Sequence, residues 1–321
     1  MKLATHDNGT ADGALVIVSA DGSHYLSAAD VAGTMQAALD NWAAAEPRLR
    51  ELASRLASGE GESASTLCFA APLPRAWQWL DGSAFRSHGV LMETLFGTEP
   101  PPPGRPLMYQ GLSHQFLSAT TDVPLPREED GIDFEGEFGV ITDHVPMGVT
   151  PAEALAHIKL LVQINDWSLR AIAPVEMKTG FGWVQAKPAC SVAPFAVTPD
   201  ALGDAWRDGR VHLPLRVDWN GARFGEAVGG EMEFGFHDLV AHAASTRSLC
   251  AGTIIGSGTV SNSNFREIGS SCIAERRGIE MLDEGTARTD YMRFGDTVRM
   301  EARQPDGSLL FGAIDQQVIK A

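Results

Sequence analysis

Ile132-Asp133-Phe134-Glu135-Gly136-Glu137-Phe138-Gly139-Val140 alternates strictly, with Ile132, Phe134, Phe138 and Val140 on one side and Asp133, Glu135 and Glu137 on the other. That is the period of a half-buried β-strand, so Glu135 and Glu137 share a face. Side chains at i and i+2 of a strand stand roughly 6.5–7 Å apart at the backbone, close enough for both carboxylates to reach one cation. Hard cations such as Mg²⁺ and Ca²⁺ prefer carboxylate oxygen. Two readings stay open at this point: a strand face turned to water, or half of a cation site.

Some thirty residues on, Leu160-Leu161-Val162-Gln163-Ile164 reads as a buried apolar strand that runs directly into Asn165-Asp166-Trp167-Ser168-Leu169-Arg170. An acid at the exit of a buried strand is held by the scaffold yet left accessible by the loop that follows. Phe181-Gly182-Trp183-Val184-Gln185-Ala186-Lys187-Pro188 then places one Lys in an otherwise uncharged stretch. Taken singly, Asp166 is a common turn residue and Lys187 a common surface amine.

Together the order and spacing say more. E-x-E at 135–137, N-D-W-S-x-R at 165–170, a lone Lys187 before the apolar run 191–197, and Gly256-Ser257-Gly258-Thr259-Val260-Ser261 resemble the fumarylacetoacetate hydrolase family over about residues 76–321. The resemblance implies that Glu135, Glu137 and Asp166 hold a divalent metal ion (Mg²⁺, Mn²⁺ or Ca²⁺). It also assigns active-site parts to Lys187, Arg170 and Thr259. Upstream, Asp81 and His88 have the spacing of a fourth metal carboxylate and a general-base His, and Tyr109-Gln110-Gly111 resembles the family's Tyr-His-Gly, whose Tyr touches substrate. The implied substrate contacts are thus Tyr109, Ser83, Thr259 and Gln185. The Glu that supports the His is assigned to Glu275, a residue or two out of register.

Two positions depart from the family pattern. Ala173 stands where a Gln, three residues after the Arg, would donate to an oxyanion, and Gly97 stands where an Arg would hold a distal carboxylate. Gln185, Arg86 and Tyr109 are the nearby donors that could compensate.

Composition narrows the classes. A formal charge of −16 repels nucleic acid and anionic membranes, and no Lys/Arg cluster reverses it locally, so neither is expected as a partner. An anionic substrate would have to be drawn in by Arg170, Lys187 and the metal. Cys68, Cys190, Cys250 and Cys272 are widely spaced without a C-x-x-C pair, which favours reduced thiols and a cytoplasmic location over a disulfide framework. No signal-like apolar segment opens the chain.

The expected fold is α+β, with a small N-terminal α+β domain over 1–72 and a β-rich catalytic domain, a mixed β-roll, over 73–321. Residues 13–18 and 24–26 read as a hairpin. Met35, Leu39, Trp42, Leu49, Leu52 and Leu56 recur at helical spacing, and Pro47 suggests a break into two short helices. The polar stretch 57–63 reads as a boundary, and 99–104 as a stiff proline loop. Thr150-Pro151-Ala152-Glu153 is a capping box with Pro at the first helical position. Strands are expected at 211–217, 298–302 and 309–314.

The function this implies is hydrolysis of a carbon–carbon bond in a small β-diketo or 2-oxo acid, fumarylacetoacetate or a related acylpyruvate, by a homodimer. The alternatives are decarboxylation of a β-keto acid or isomerisation or hydration of a 2-oxo-enoate on the same scaffold, and a metal-binding module that has lost catalysis.

Overall fold

The computed structural model describes residues 1–97, 99–100 and 102–321. Within the proline run 99–104, Pro101 lies outside the described residues. The fold is mixed α+β and sheet-rich. Among the described residues its main sheet has eleven strands, in the hydrogen-bonded order Glu62–Ser63, His24–Ser27, Ala14–Val18, Lys2–His6, Phe195–Val197, Ile158–Asn165, Gly136–Thr142, Ile254–Gly256, Trp79–Gly82 and Met108–Gln110, with Ser191–Val192 on the Ile158–Asn165 strand. A second sheet of five strands, Ala222–Val228, Pro214–Trp219, Thr297–Arg303, Leu309–Lys320 and Val123–Leu125, packs on one face of the first. Phe138, Val140 and Leu161 meet Val217, Met300 and Phe311 there. On the opposite face, Ile141, Leu160 and Val162 pack against Leu39 and Leu49 of two N-terminal helices.

This three-layer arrangement corrects the reading of the 132–140 stretch. The stretch is buried on both faces, because Asp133, Glu135 and Glu137 meet Arg170, Lys187, Asp81 and Asp166 where alternation would leave them to water, and farther along the same strand Ile141 packs with the N-terminal helices. It is also broken. Ile132–Asp133 pairs with Ser168–Leu169, and the Gly136–Thr142 strand starts afresh in the main sheet. Between them Glu135 forms an isolated bridge with Cys272, its N–H donates to the Asn165 side chain, and its carbonyl accepts from the N–H of Asp166. The kink turns Glu135 toward a different set of partners from Glu137.

The N-terminal helices are Met35–Asp40 and Trp42–Ala57, so the break falls at Asn41 and Pro47 lies inside the longer helix. Pro47 is on the exposed side, where water can take the carbonyl it leaves unpaired. Buried Trp42, Ala45, Leu49 and Leu56 hold the helix together across it. Within the polar stretch 57–63, Glu62–Ser63 pairs with His24–Ser27 at the sheet edge. The hairpin forms as Ala14–Val18 and His24–Ser27, and the Thr150 capping box starts a single turn, Pro151–Ala154, ahead of the Ile158–Asn165 strand. The strand expected over 211–217 is two, Arg210–Val211 and Pro214–Trp219, and the last strand runs on to Lys320. Among the described residues no helix is long and apolar enough to cross a membrane.

Candidate active site

Three central strands bring three acids together. In the main sheet Gly256 lies between Asp81 of the Trp79–Gly82 strand and Gly139 of the Gly136–Thr142 strand. Because Gly256 has no side chain, Asp81 and Glu137 can reach toward each other over it: a Cβ there would lie 2.3 Å from Asp81 Oδ1 and 2.9 Å from Glu137 Oε2. Asp166, at the exit of the Ile158–Asn165 strand, completes the group. One carboxylate oxygen from each of Asp81, Glu137 and Asp166 lies within 4.8 Å of the others, and all three residues are buried.

The three acids are unequally supplied with donors. Asp81 Oδ1 accepts from the Gly258 N–H at 3.1 Å. Asp166 accepts from Cys190 Sγ at 3.0 Å, and from Lys187 Nζ and Tyr109 Oη at 2.6 Å each. Both oxygens of Glu137 are buried and receive no donor from the protein, a proton shared with Asp81 being the one partner open to them. Burial, then the neighbouring carboxylates, pushes Asp81 and Glu137 well above the usual carboxylate range. Burial raises Asp166 too, against the opposing pull of Lys187. Hard oxygen donors crowded so closely that burial and mutual repulsion make them retain protons fit a divalent cation, whose charge would replace those protons.

Glu135 is not one of the three. Its Oε1 is taken by Arg170 Nη2 and its Oε2 by Lys187 Nζ at 2.6 Å, which outweigh burial and hold its carboxyl below the usual range. The kink before Gly136 is the physical reason that the two glutamates, one face in the sequence pattern, have separate partners. Lys187 bridges Glu135 and Asp166, with its ammonium over the rings of Tyr109 (5.3 Å) and Trp183 (5.6 Å). Burial works against its charge, but Asp166 and Glu135 prevail and hold it protonated. Arg170 is also engaged away from open space, donating from Nε to Asp133 Oδ2 at 2.8 Å.

Asp133 was not singled out from the sequence, although its place on the Glu135 and Glu137 side was the available signal. It also accepts from the N–H groups of Ile273 (2.7 Å) and Ala274 (2.9 Å), so it holds the start of the helix Ile273–Glu284. That helix carries Glu275, whose Oε1 lies 3.1 Å from His88 Nδ1. His88 stands on the helix Arg86–Phe96, and the two helices touch where glycine allows it: a Cβ on Gly278 would lie 2.8 Å from the Leu91 carbonyl. His88 is near enough to Glu135 to help hold that carboxyl low, so the His88–Glu275 pair and the three acids border one another at Glu135.

The other expected residues are scattered. Thr259 follows Gly258, and its hydroxyl is buried without a partner; Ser83 is half-buried beside the same turn, its Cα 3.0 Å from where a Gly258 Cβ would be. Gln185 is exposed, and Arg86 is paired with Glu93 at 2.6 Å, so neither has a hydrogen bond into the cluster. Tyr109 alone of the three compensating donors touches it. Gly97 ends the Arg86–Phe96 helix in the left-handed conformation (φ 64°), a job for which an Arg would be ill suited.

Two expected results follow from this geometry. Gly256→Ala should cost about 1–3 kcal/mol through overpacking and spread Asp81 from Glu137, seen as a lower denaturant midpoint together with weaker Mn²⁺ binding; parent values for both would show that the strands relax freely. In addition, folded Asp81 and Glu137 hold protons more tightly than their ordinary values of 3.8 and 4.5. Stability of the cation-free protein is therefore lost as pH rises above that range. The gain in Tm on adding Mg²⁺ should be larger at about pH 8 than at about pH 5, and equal gains would contradict the crowding.

The chain matches the family model described as fumarylacetoacetate (FAA) hydrolase C-terminal over residues 78–319, and the one described as fumarylacetoacetase N-terminal domain 2 over residues 1–75. It is 28% identical over 162 residues to a 2,4-didehydro-3-deoxy-L-rhamnonate hydrolase of Sphingomonas sp. (strain SKA58), covering 50% of this chain and 54% of that protein. It is 23% identical over 167 residues to the human mitochondrial oxaloacetate tautomerase FAHD2A, covering 50% and 49%. The chain thus spans about half the length of these curated relatives. Maleylpyruvate hydrolase from Sphingobium sp. SYK-6, solved in complex with manganese (II) ion and pyruvate, superposes with a TM-score of 0.67 at 15% identity, covering 100% of both chains, a likeness of fold.

Proposed function

The chain belongs to the fumarylacetoacetate hydrolase family, and from that premise we propose that it is a divalent-cation-dependent enzyme hydrolysing a carbon–carbon bond of a β-diketo acid of the acylpyruvate class. The observation that carries this reading is Glu137: a buried carboxylate without a protein donor, facing Asp81 and Asp166 and bordering a His–Glu pair. Asp81, Glu137 and Asp166 would hold the cation, with Glu135 kept alongside by Arg170 and Lys187. When bound, the cation supplies Lewis acidity that lowers the cost of negative charge on the dicarbonyl half of the substrate.

The residues supply the rest. His88, oriented through Nδ1 by Glu275, takes a proton from water, and the oxygen attacks the carbonyl remote from the carboxylate. Lys187 spends two of its three N–H donors on Glu135 and Asp166, leaving one for the oxyanion that forms. Arg170 donates from Nε to Asp133 and from Nη2 to Glu135 and so positions Glu135, with three of its five N–H donors left over. The bond between the attacked carbon and the methylene breaks, its electrons pass to the dicarbonyl half, and a proton completes the methyl group of the 2-oxo acid. Acylpyruvate and water become a carboxylic acid and pyruvate.

A second reading has its own support. Ala173 has no side-chain donor, and fewer oxyanion donors suit keto–enol interconversion of a 2-oxo acid, which needs a base and a stabilised enolate but no tetrahedral intermediate; the named tautomerase relative belongs to that class. The test is a panel of fumarylpyruvate, a neutral acylpyruvate and oxaloacetate with Mg²⁺ or Mn²⁺, following both products. Release of pyruvate and the matching acid supports hydrolysis, enol–ketone interconversion without cleavage supports the second reading, and CO₂ release from oxaloacetate would replace both. The division into 1–72 and 73–321, and a homodimeric state, belong to the same proposal.

A further inference from the structure

Behind His88 lies a second group of ligating atoms, unlike the carboxylates. A ring nitrogen of His88, the Cys272 sulfur and a Glu275 oxygen all lie within 4.8 Å of one another. One nitrogen, one sulfur and one oxygen form the donor set of borderline cations such as Zn²⁺ and Co²⁺, whereas Mg²⁺ and Ca²⁺ seek oxygen alone. Around a tetrahedral ion of this kind such atoms stand roughly 3.3–3.6 Å apart. His88 Nδ1 and Glu275 Oε1 are already at 3.1 Å, so side-chain adjustments of about 1 Å close the set.

The local structure places the sulfur at a helix N-terminus and, in the absence of an ion, keeps it as a thiol. Cys272 caps the helix Ile273–Glu284, its sulfur accepting from the Glu275 N–H at 3.3 Å, and a helix N-terminus favours negative charge. Asp133, Glu275 and Glu135 surround the sulfur against the single cation Arg170. Burial, then Asp133 and Glu275, keep the thiol protonated, so an ion entering the group releases one proton as the sulfur–metal bond forms. The thiol is fully buried, while the His88 side chain is 12% exposed, which leaves His88 as the way in.

We propose that His88, Cys272 and Glu275 form a second cation site, selective for thiophilic ions of the Zn²⁺ class, whose occupation takes His88 out of use as a base. The two sites divide cations by ligand softness: hard ions at Asp81, Glu137 and Asp166, and a borderline ion beside them. The thiophilic site stands on its own geometry, whether or not the carboxylates take an ion.

The experiment is a Co²⁺ titration of the full chain in saturating Mg²⁺, read by optical absorption and equilibrium dialysis. The expected result is one Co²⁺ per chain with a thiolate-to-cobalt charge-transfer band. Cys190 also stands beside the carboxylate cluster, so the band has to be assigned: Cys272→Ser, which keeps a capping side chain, should abolish it and weaken Co²⁺ binding by at least about tenfold. His88→Ala should weaken binding to a similar degree, an independent check if the Cys variant fails to fold. Co²⁺ binding without the band, a band that survives in Cys272→Ser, or unchanged affinity in His88→Ala would overturn the site. Failure of the carboxylate reading looks different, since Co²⁺ would then displace no Mg²⁺ and the thiolate band would remain.

Discussion

Glu137→Ala is expected to remove the protein's affinity for Mg²⁺ and Mn²⁺, by at least about 10²-fold, and its cation-dependent turnover with it. The expectation rests on Glu137 having no other purpose in the fold: it is buried, its two oxygens are unpaired, and it is held far from its ordinary ionisation by burial and by Asp81 and Asp166. Evolution seldom leaves a buried carboxylate in that state without an external partner. Removing a residue that only orients a metal ligand commonly costs about 10–100-fold in affinity, and loss of a direct ligand should cost at least as much. The loss is specific, because removing one of three crowded acids also removes repulsion. The variant should therefore fold, and its cation-free form should be no less stable above neutral pH than the parent's apart from the small cavity. Isothermal titration with Mn²⁺ alongside thermal unfolding reads both. Parent affinity in Glu137→Ala would remove the carboxylate cluster from the account.

His88→Ala should reduce turnover by about 10²–10⁴-fold, the range a positioned general base contributes, while Mn²⁺ affinity stays at the parent value. The separation follows from the layout: His88 sits on the helix Arg86–Phe96 against Glu275, and the three acids sit on sheet strands and their exits. Glu275→Gln should lower turnover less, since a Gln can still accept the Nδ1–H bond but does not stabilise the imidazolium. A His88→Ala variant with parent turnover would make His88 a packing residue between two helices.

How far the sequence carries such an account depends on whether a feature is local. The buried run ending at Asp166, the capping box at Thr150 and the 14–27 hairpin are written in consecutive residues, and each forms as read. Family-specific spacing directed attention to Asp81, Glu137, Asp166, His88, Glu275 and Lys187, which the fold gathers from remote strands and helices. What alternation could not convey was the cover on its polar side. Period 2 distinguishes two faces, yet only tertiary packing decides whether the second face meets water or other elements, so a half-buried strand turned out buried throughout. The partners of Glu135 were hidden for a related reason, since the kink before Gly136 depends on bonds to Asn165, Asp166 and Ser271 from other elements. Gly256 and Asp133 act through non-local contacts as well: one by what its absent side chain permits, the other by holding a helix that begins 140 residues later. Pro47 shows the converse, a strong local signal overridden by the apolar face of its helix.

The water that His88 would activate can be followed by incubating the protein with an acylpyruvate and Mg²⁺ in heavy-oxygen water, with mass analysis of both products at early times. If His88 delivers water to the carbonyl beside the three acids, the acyl-derived carboxylic acid should carry one heavy oxygen per turnover, formed in step with pyruvate. Interconversion of enol and ketone with the carbon chain intact, and no labelled acid, would contradict it.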